Sequence, residues 1–146
     1  CARGNMVHKF IRKSLLSIAL CVIVNNAWAE VVVIVHPSNA ATLDAKKVQR
    51  IFLGKEKKFS DGKGVIPINS EIGYSSREQF DSNVIKRSST QVSAYWSKLV
   101  FTGKGIPPKE VENDAAVMEI VANNKSAVGY VDSSAVTDSV KVVPLN

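Results

Sequence analysis

Ile68-Asn69-Ser70-Glu71-Ile72-Gly73-Tyr74-Ser75-Ser76-Arg77-Glu78-Gln79-Phe80 decides how the rest of the chain is read. It has the form of a strand end, a hydroxyl-rich turn and the first turn of a helix. The first turn of a helix leaves backbone N–H groups without partners, and the macrodipole adds partial positive charge there. Ser75 and Ser76 add hydroxyls, and Arg77 adds a permanent cation with a fork of donors. Together they make a candidate oxyanion cradle that needs no metal. The competing reading is local: Ser75 or Ser76 caps its own helix and Arg77 sits in solvent.

Working outward from this turn, strands and helices alternate. Residues 31–35 are a continuous β-branched run, as expected of a buried strand, and Pro37 and Asn39 break it. Thr42 is placed to cap a helix over residues 43–53 with Val48, Ile51 and Phe52 on its apolar stripe, and Gly54 ends it. Residues 65–68 form a short strand in which Pro67 points to an edge or an irregular position. A second helix covers residues 75–85, with Phe80 and Val84 on one face. A third begins near Ser89 or Thr90 and buries Val92, Tyr95, Trp96, Leu99 and Val100. Residues 103–108 read as a loop and residues 114–122 as a helix with Val117, Ile120 and Val121 inward. Residues 127–131 and 140–143 read as strands. This alternation is that of an α/β layer architecture.

The N-terminus supplies the compartment. Met6 opens a stretch with Lys9, Arg12 and Lys13, an apolar run over residues 15–24 follows, and Ala27-Trp28-Ala29 closes it. A basic start, a short apolar core and small residues at the −3 and −1 positions are the parts of a secretory signal peptide. The expected leader therefore starts at Met6 and ends at Ala29, with residues 1–5 upstream of it, and a single domain occupies residues 30–146. Cys21 lies within the apolar run, but Leu20 stands where a lipidation signal needs a small residue. Both cysteines, Cys1 and Cys21, precede Glu30, so the exported domain relies on a packed core instead of disulfides.

Four of the 19 Lys and Arg residues also precede Glu30, and all 13 acidic residues lie at or after it. The basic balance of the whole chain thus belongs largely to the leader. No basic run interleaved with aromatics is present, so nucleic acid is not an expected partner. Residues 30–146 contain one histidine, His36, and no cysteine, which excludes a Cys/His zinc site. No G-x-S-x-G elbow, G-x-G-x-x-G loop or Walker A loop occurs. Asp132-Ser133-Ser134 reads as the cap of a turn, and residues 55–58 as a solvated basic loop. Neither an activated nucleophile nor a set of metal ligands can be named. An enzyme is not expected, and neither a metal nor a cofactor is required.

Four segments occur in a suggestive order: Ile51-Phe52-Leu53-Gly54-Lys55, Pro67-Ile68, Gly73-Tyr74-Ser75-Ser76-Arg77 and Ala127-Val128-Gly129-Tyr130-Val131. In this order they resemble the periplasmic phosphate-binding proteins of ABC transporters, within the type II periplasmic-binding-protein superfamily. There a helix ending in an I-[FY]-L-G-K-like sequence precedes a strand, an R-x-x-G-S-G-T loop opens a helix onto the phosphate, and a G-A-I-G-Y-V strand comes later.

The resemblance implies a single-lobe periplasmic-binding-protein-like domain with a small mixed sheet flanked by helices. It also implies a solute-binding role in phosphate transport or sensing, with Gly73, Tyr74, Ser75, Ser76, Arg77 and Ser70 as the oxyanion-binding residues. The chain departs from the pattern in three ways. Ser70 stands where the family has its clamp arginine, Tyr74 and Ser75 replace the loop serine and glycine, and the second lobe is missing. Ser76 keeps the hydroxyl of the family's threonine, and Arg77 aligns with an arginine of some relatives. A transporter permease, a sensor protein or a homodimer that completes the cleft are the partners this implies. The alternative is a ligand-free protein-interaction module built on one such lobe.

Overall fold

The computed structural model describes residues 30–145. The leader expected at residues 1–29 lies outside the described residues. Five strands and four α-helices follow in order: β1 (Val31–Val35), α1 (Ala45–Phe52), β2 (Ile66–Ser70), α2 (Ser75–Phe80), α3 (Ser89–Phe101), β3 (Lys109–Val111), α4 (Asp114–Asn123), β4 (Ala127–Asp132) and β5 (Lys141–Val143). A π-helical segment, Asp81–Ile85, continues α2, and a short 3-10 turn, Ser133–Ala135, follows β4. Among the described residues no helix is long and apolar enough to cross a membrane.

The sheet is mixed, in the order β3-β2-β4-β1-β5. β2 runs parallel to both β3 and β4, and β1 runs antiparallel to both β4 and β5. The β-branched run of β1 is explained by its place inside the sheet. Its side chains alternate between two cores, Val33 and Val35 on one face and Ile34 on the other. α1, the π segment and α3 pack on the first face through Val48, Ile51, Phe52, Ile85, Val92 and Trp96. α4 covers the second through Val117, Met118 and Val121. Gly129 of β4 lets α4 approach: a Cβ there would lie 2.6 Å from Val117 Cγ1.

Several local expectations change. Asp44, not Thr42, caps α1, accepting a hydrogen bond from Lys47 N at 2.7 Å. The Thr42 N–H is drawn instead to Ser60 Oγ, 3.0 Å away. Pro67 lies in an interior strand. Its ring is tolerated because β3 pairs only with Ile68–Ser70, so at Pro67 the β3 side of the strand is open. β3 itself was not expected from the sequence. Val100, expected inward, is 51% exposed; the buried face of α3 is carried by Val92 and Trp96.

Other expectations hold. Gly54 follows α1 with φ +73, and Trp96 is a core residue. Ser88 forms a capping box with Gln91 at the start of α3. Asp132 accepts from Ser134 N at 2.9 Å and so caps the turn after β4.

Candidate functional site

Three parallel strands, β2, β3 and β4, end on the same side of the sheet, and ligands of α/β sheets gather at such carboxyl edges. The predicted turn leaves β2 at this edge. The six residues expected to hold an oxyanion divide into two halves there. Gly73, with φ +92, and Ser75 are exposed, and Tyr74 is half-buried. Ser70, Ser76 and Arg77 are buried beneath them.

The start of α2 is open. Its N-cap is Tyr74, whose side chain makes no cap hydrogen bond, so neither Ser75 nor Ser76 acts as the cap. Tyr74 turns elsewhere: its hydroxyl accepts from the N–H of Asp114 at 3.3 Å, at the start of α4. Asp114 Oδ2 in turn accepts from the N–H of Asp132 at 3.1 Å, at the end of β4. One chain of contacts therefore ties the ends of β2 and β4 through the head of α4. Asp114 Oδ1 is buried and has no hydrogen-bond partner among the described residues, and the same holds for Ser70 Oγ.

Arg77 is not in solvent. It is 2% exposed, and three of its five N–H donors are taken up inside the fold. Nε donates to Asp81 Oδ2 at 2.6 Å, and Nη1 donates to the carbonyl of Ser70 at 2.9 Å and to Glu110 Oε1 at 3.2 Å. Burial opposes the guanidinium charge, but the hydrogen bond and attraction of Asp81 outweigh it and raise its pKa above the ordinary arginine value. The helix geometry explains the pairing, since residues four apart share one face. Asp81 sits where α2 widens into its π turn, and its carbonyl accepts from Arg87 N at 3.1 Å.

A second polar layer lies under β2. Tyr130 donates its hydroxyl to Asn69 Oδ1 and accepts from Ser70 N at 3.0 Å. Its ring is stacked on Phe80 with centroids 3.9 Å apart, and Phe80 meets Phe52 edge-on at 4.7 Å. The aromatic core thus fixes the height of the phenol under the strand end. Burial is the main reason its pKa lies well above the ordinary tyrosine value, so it remains a neutral donor.

Asn69, Arg77 and Glu110 also form one wall of a cleft of about 650 Å³, opposite Val100, Phe101 and Pro107. Asn69, Asp81, Glu110, Asp114 and Tyr130 were not named as site residues from the sequence. Asp81 carried a signal, its spacing from Arg77. Asn69 adjoins Ser70 on β2, Glu110 and Tyr130 are brought in by the neighbouring strands, and Asp114 by the head of α4. His36 bonds only locally among the described residues, with Nδ1 2.8 Å from Ser38 Oγ.

No family model and no curated relative matches the sequence. Solved structures share the fold. An ABC-type phosphate transport receptor from Vibrio cholerae superposes with a TM-score of 0.61 at 16% identity, over 79% of this chain and 45% of that one. A putative phosphate ABC transporter substrate-binding protein from Clostridium perfringens, with bound phosphate, gives 0.63 at 18% identity, over 79% and 44%. PstS from Borrelia burgdorferi gives 0.59 at 12% identity, over 80% and 47%.

The likeness is one of fold. This chain has the mixed α/β architecture of such binding proteins and spans less than half the length of each. The expected fold class, a small mixed sheet flanked by helices, is the one observed.

Proposed function

We propose that this chain is an exported one-lobe solute-binding module that takes phosphate or a related oxyanion at the start of α2. The observation that carries the reading is an uncapped helix start with an exposed glycine and serine, at the carboxyl end of an interior strand. The oxyanion accepts from the main-chain N–H groups of Ser75 and Ser76 and from the Ser75 hydroxyl, with Gly73 and Tyr74 bordering it. Ser70 and Arg77 stand behind the turn. The donors of Arg77 hold the Ser70 carbonyl and two carboxylates in place.

An open half-site leaves the ligand partly hydrated. Two or three charge-assisted bonds, less the cost of immobilising the anion, give a dissociation constant on the order of millimolar to tens of micromolar. A leader ending at Ala29 delivers the module to the periplasm. A transporter permease, a sensor protein or a second copy covers the open side of the cleft and raises the affinity.

Calorimetric titration of phosphate into the full chain, with sulfate alongside, tests this. Arg77 variants disturb a buried ion pair, so Ser75→Glu is the better probe: it places a carboxylate at an exposed helix start, where it stabilises the helix and repels an anion. Saturable heat with phosphate that disappears in Ser75→Glu is the expected result. No heat up to millimolar phosphate from a folded chain overturns it. That outcome favours the second reading, a ligand-free protein-interaction module, which one observation supports: the charge of Arg77 is already balanced from within by Asp81 and Glu110.

A further inference from the structure

Away from the β2 edge, the C-terminal half of α3 and the loop after α1 enclose a second cleft of about 560 Å³. Its floor is the Trp96 indole. The backbone packs directly on that ring from two directions: a Cβ at Gly54 would lie 2.7 Å from Trp96 Cη2, and one at Gly105 3.1 Å from Cζ3. Leu99 and Ile106 extend the apolar surface, and Ile106 is 91% exposed. Around the rim stand Lys55, Lys57 and Lys104, all exposed, and no carboxylate lines the cleft. Among the described residues none of these three lysines takes part in an ion pair.

Charge and shape together point to a ligand: three lysines that take part in no ion pair among the described residues stand beside apolar surface, with no carboxylate among the lining residues. We infer that this cleft binds an anionic amphiphile, a monocarboxylate with an aliphatic or aromatic body. The body lies on Trp96, Leu99 and Ile106, and the carboxylate meets the lysine rim. The chemistry is complementary at both ends: apolar area for the body and uncompensated cationic charge for the head. The inference is independent of oxyanion binding at α2, since none of the residues lining this cleft belongs to that turn.

The test uses sodium dodecanoate below its micelle concentration and the full chain carrying Trp28→Phe, which leaves Trp96 as the single tryptophan. Dodecanoate is expected to change Trp96 emission saturably, whereas dodecyltrimethylammonium, of the same chain length, does not. Millimolar phosphate should not compete. Replacing Lys55, Lys57 and Lys104 together by Gln is expected to weaken dodecanoate binding about tenfold, three exposed charge contacts having been removed. Ile106→Ser should weaken it from the apolar side. All four side chains are exposed, so these variants leave the fold intact. Absence of a saturable change, equal binding of the cationic surfactant, or undiminished affinity in the lysine variant each overturns the proposal.

Discussion

Arg77 Nε lies 2.6 Å from Asp81 Oδ2, and both side chains are 2% exposed. A residue that a sequence reader places in a ligand site is thus the cationic half of a buried ion pair, one turn along its own helix. This changes how any Arg77 variant must be interpreted, because the carboxylate it leaves behind has no water to turn to.

Arg77→Met alone strands the Asp81 charge and is expected to cost about 3–5 kcal/mol of stability. Adding Asp81→Leu should recover most of that loss, since apolar replacement of a whole buried pair is often neutral. Urea denaturation of the single and double variants checks this. Equal destabilisation by both would show that the pair is not the source of the cost.

Tyr130 carries a pH signature. Its phenol has a folded-state pKa raised above the ordinary value of 10.0, chiefly by burial. As pH rises past 10.0 the unfolded chain loses this proton first, so the native state binds more protons and stability falls with pH. The contribution is fully present below that value. Urea midpoints should therefore drop in alkaline solution, and Tyr130→Phe should flatten the drop. At neutral pH the same variant is expected to cost about 1–3 kcal/mol, because it leaves Asn69 Oδ1 and the Ser70 N–H without their partner.

Gly54 answers two demands at once, a φ of +73 and a Trp96 ring too near for a Cβ. For Gly54→Ala the left-handed conformation costs about 1 kcal/mol or more. Overpacking against the indole adds about 1–3 kcal/mol. Thermal unfolding gives the sum, and Trp96 emission in the Trp28→Phe background should shift because the ring must move. A stable protein with unchanged emission would contradict the packing described.

Lys86 is the one non-glycine residue with positive φ among those described, at φ 64, where the π segment ends. Lys86→Gly relieves that strain at some cost in unfolded-chain entropy, and a gain of up to about 1 kcal/mol is expected. A loss of stability in denaturant titration would mean the lysine side chain makes a contact worth more than the strain.

Much of the scaffold was legible because its signals are local. The β-branched run of β1, the spacing of Val48, Ile51 and Phe52, and Gly54 after α1 are all patterns a few residues wide. β3 was not legible: three residues, two of them charged, become a strand only because β2 offers them an open side. Thr42 and Asp44 are both competent caps by residue type, and α1 begins two residues later than its pattern suggested, at Ala45, so that Asp44 stands at the cap. The same limit applies to the candidate site. The turn from Gly73 to Ser76 is contiguous and legible as a turn, whereas Glu110 and Tyr130 reach Arg77, Asn69 and Ser70 only through tertiary pairing.

The two margins of the sheet have a bearing on self-association. β3 and β5 are each three residues long, and each opens with an exposed lysine, Lys109 and Lys141. Short charged borders offer little template for a further strand, and a stray chain that docked there would bring its own lysine against another. Growth of ribbons or fibrils from either border is therefore suppressed in the crowded state that follows synthesis. Helices and loops, and not these two borders, are the surfaces through which two copies would meet.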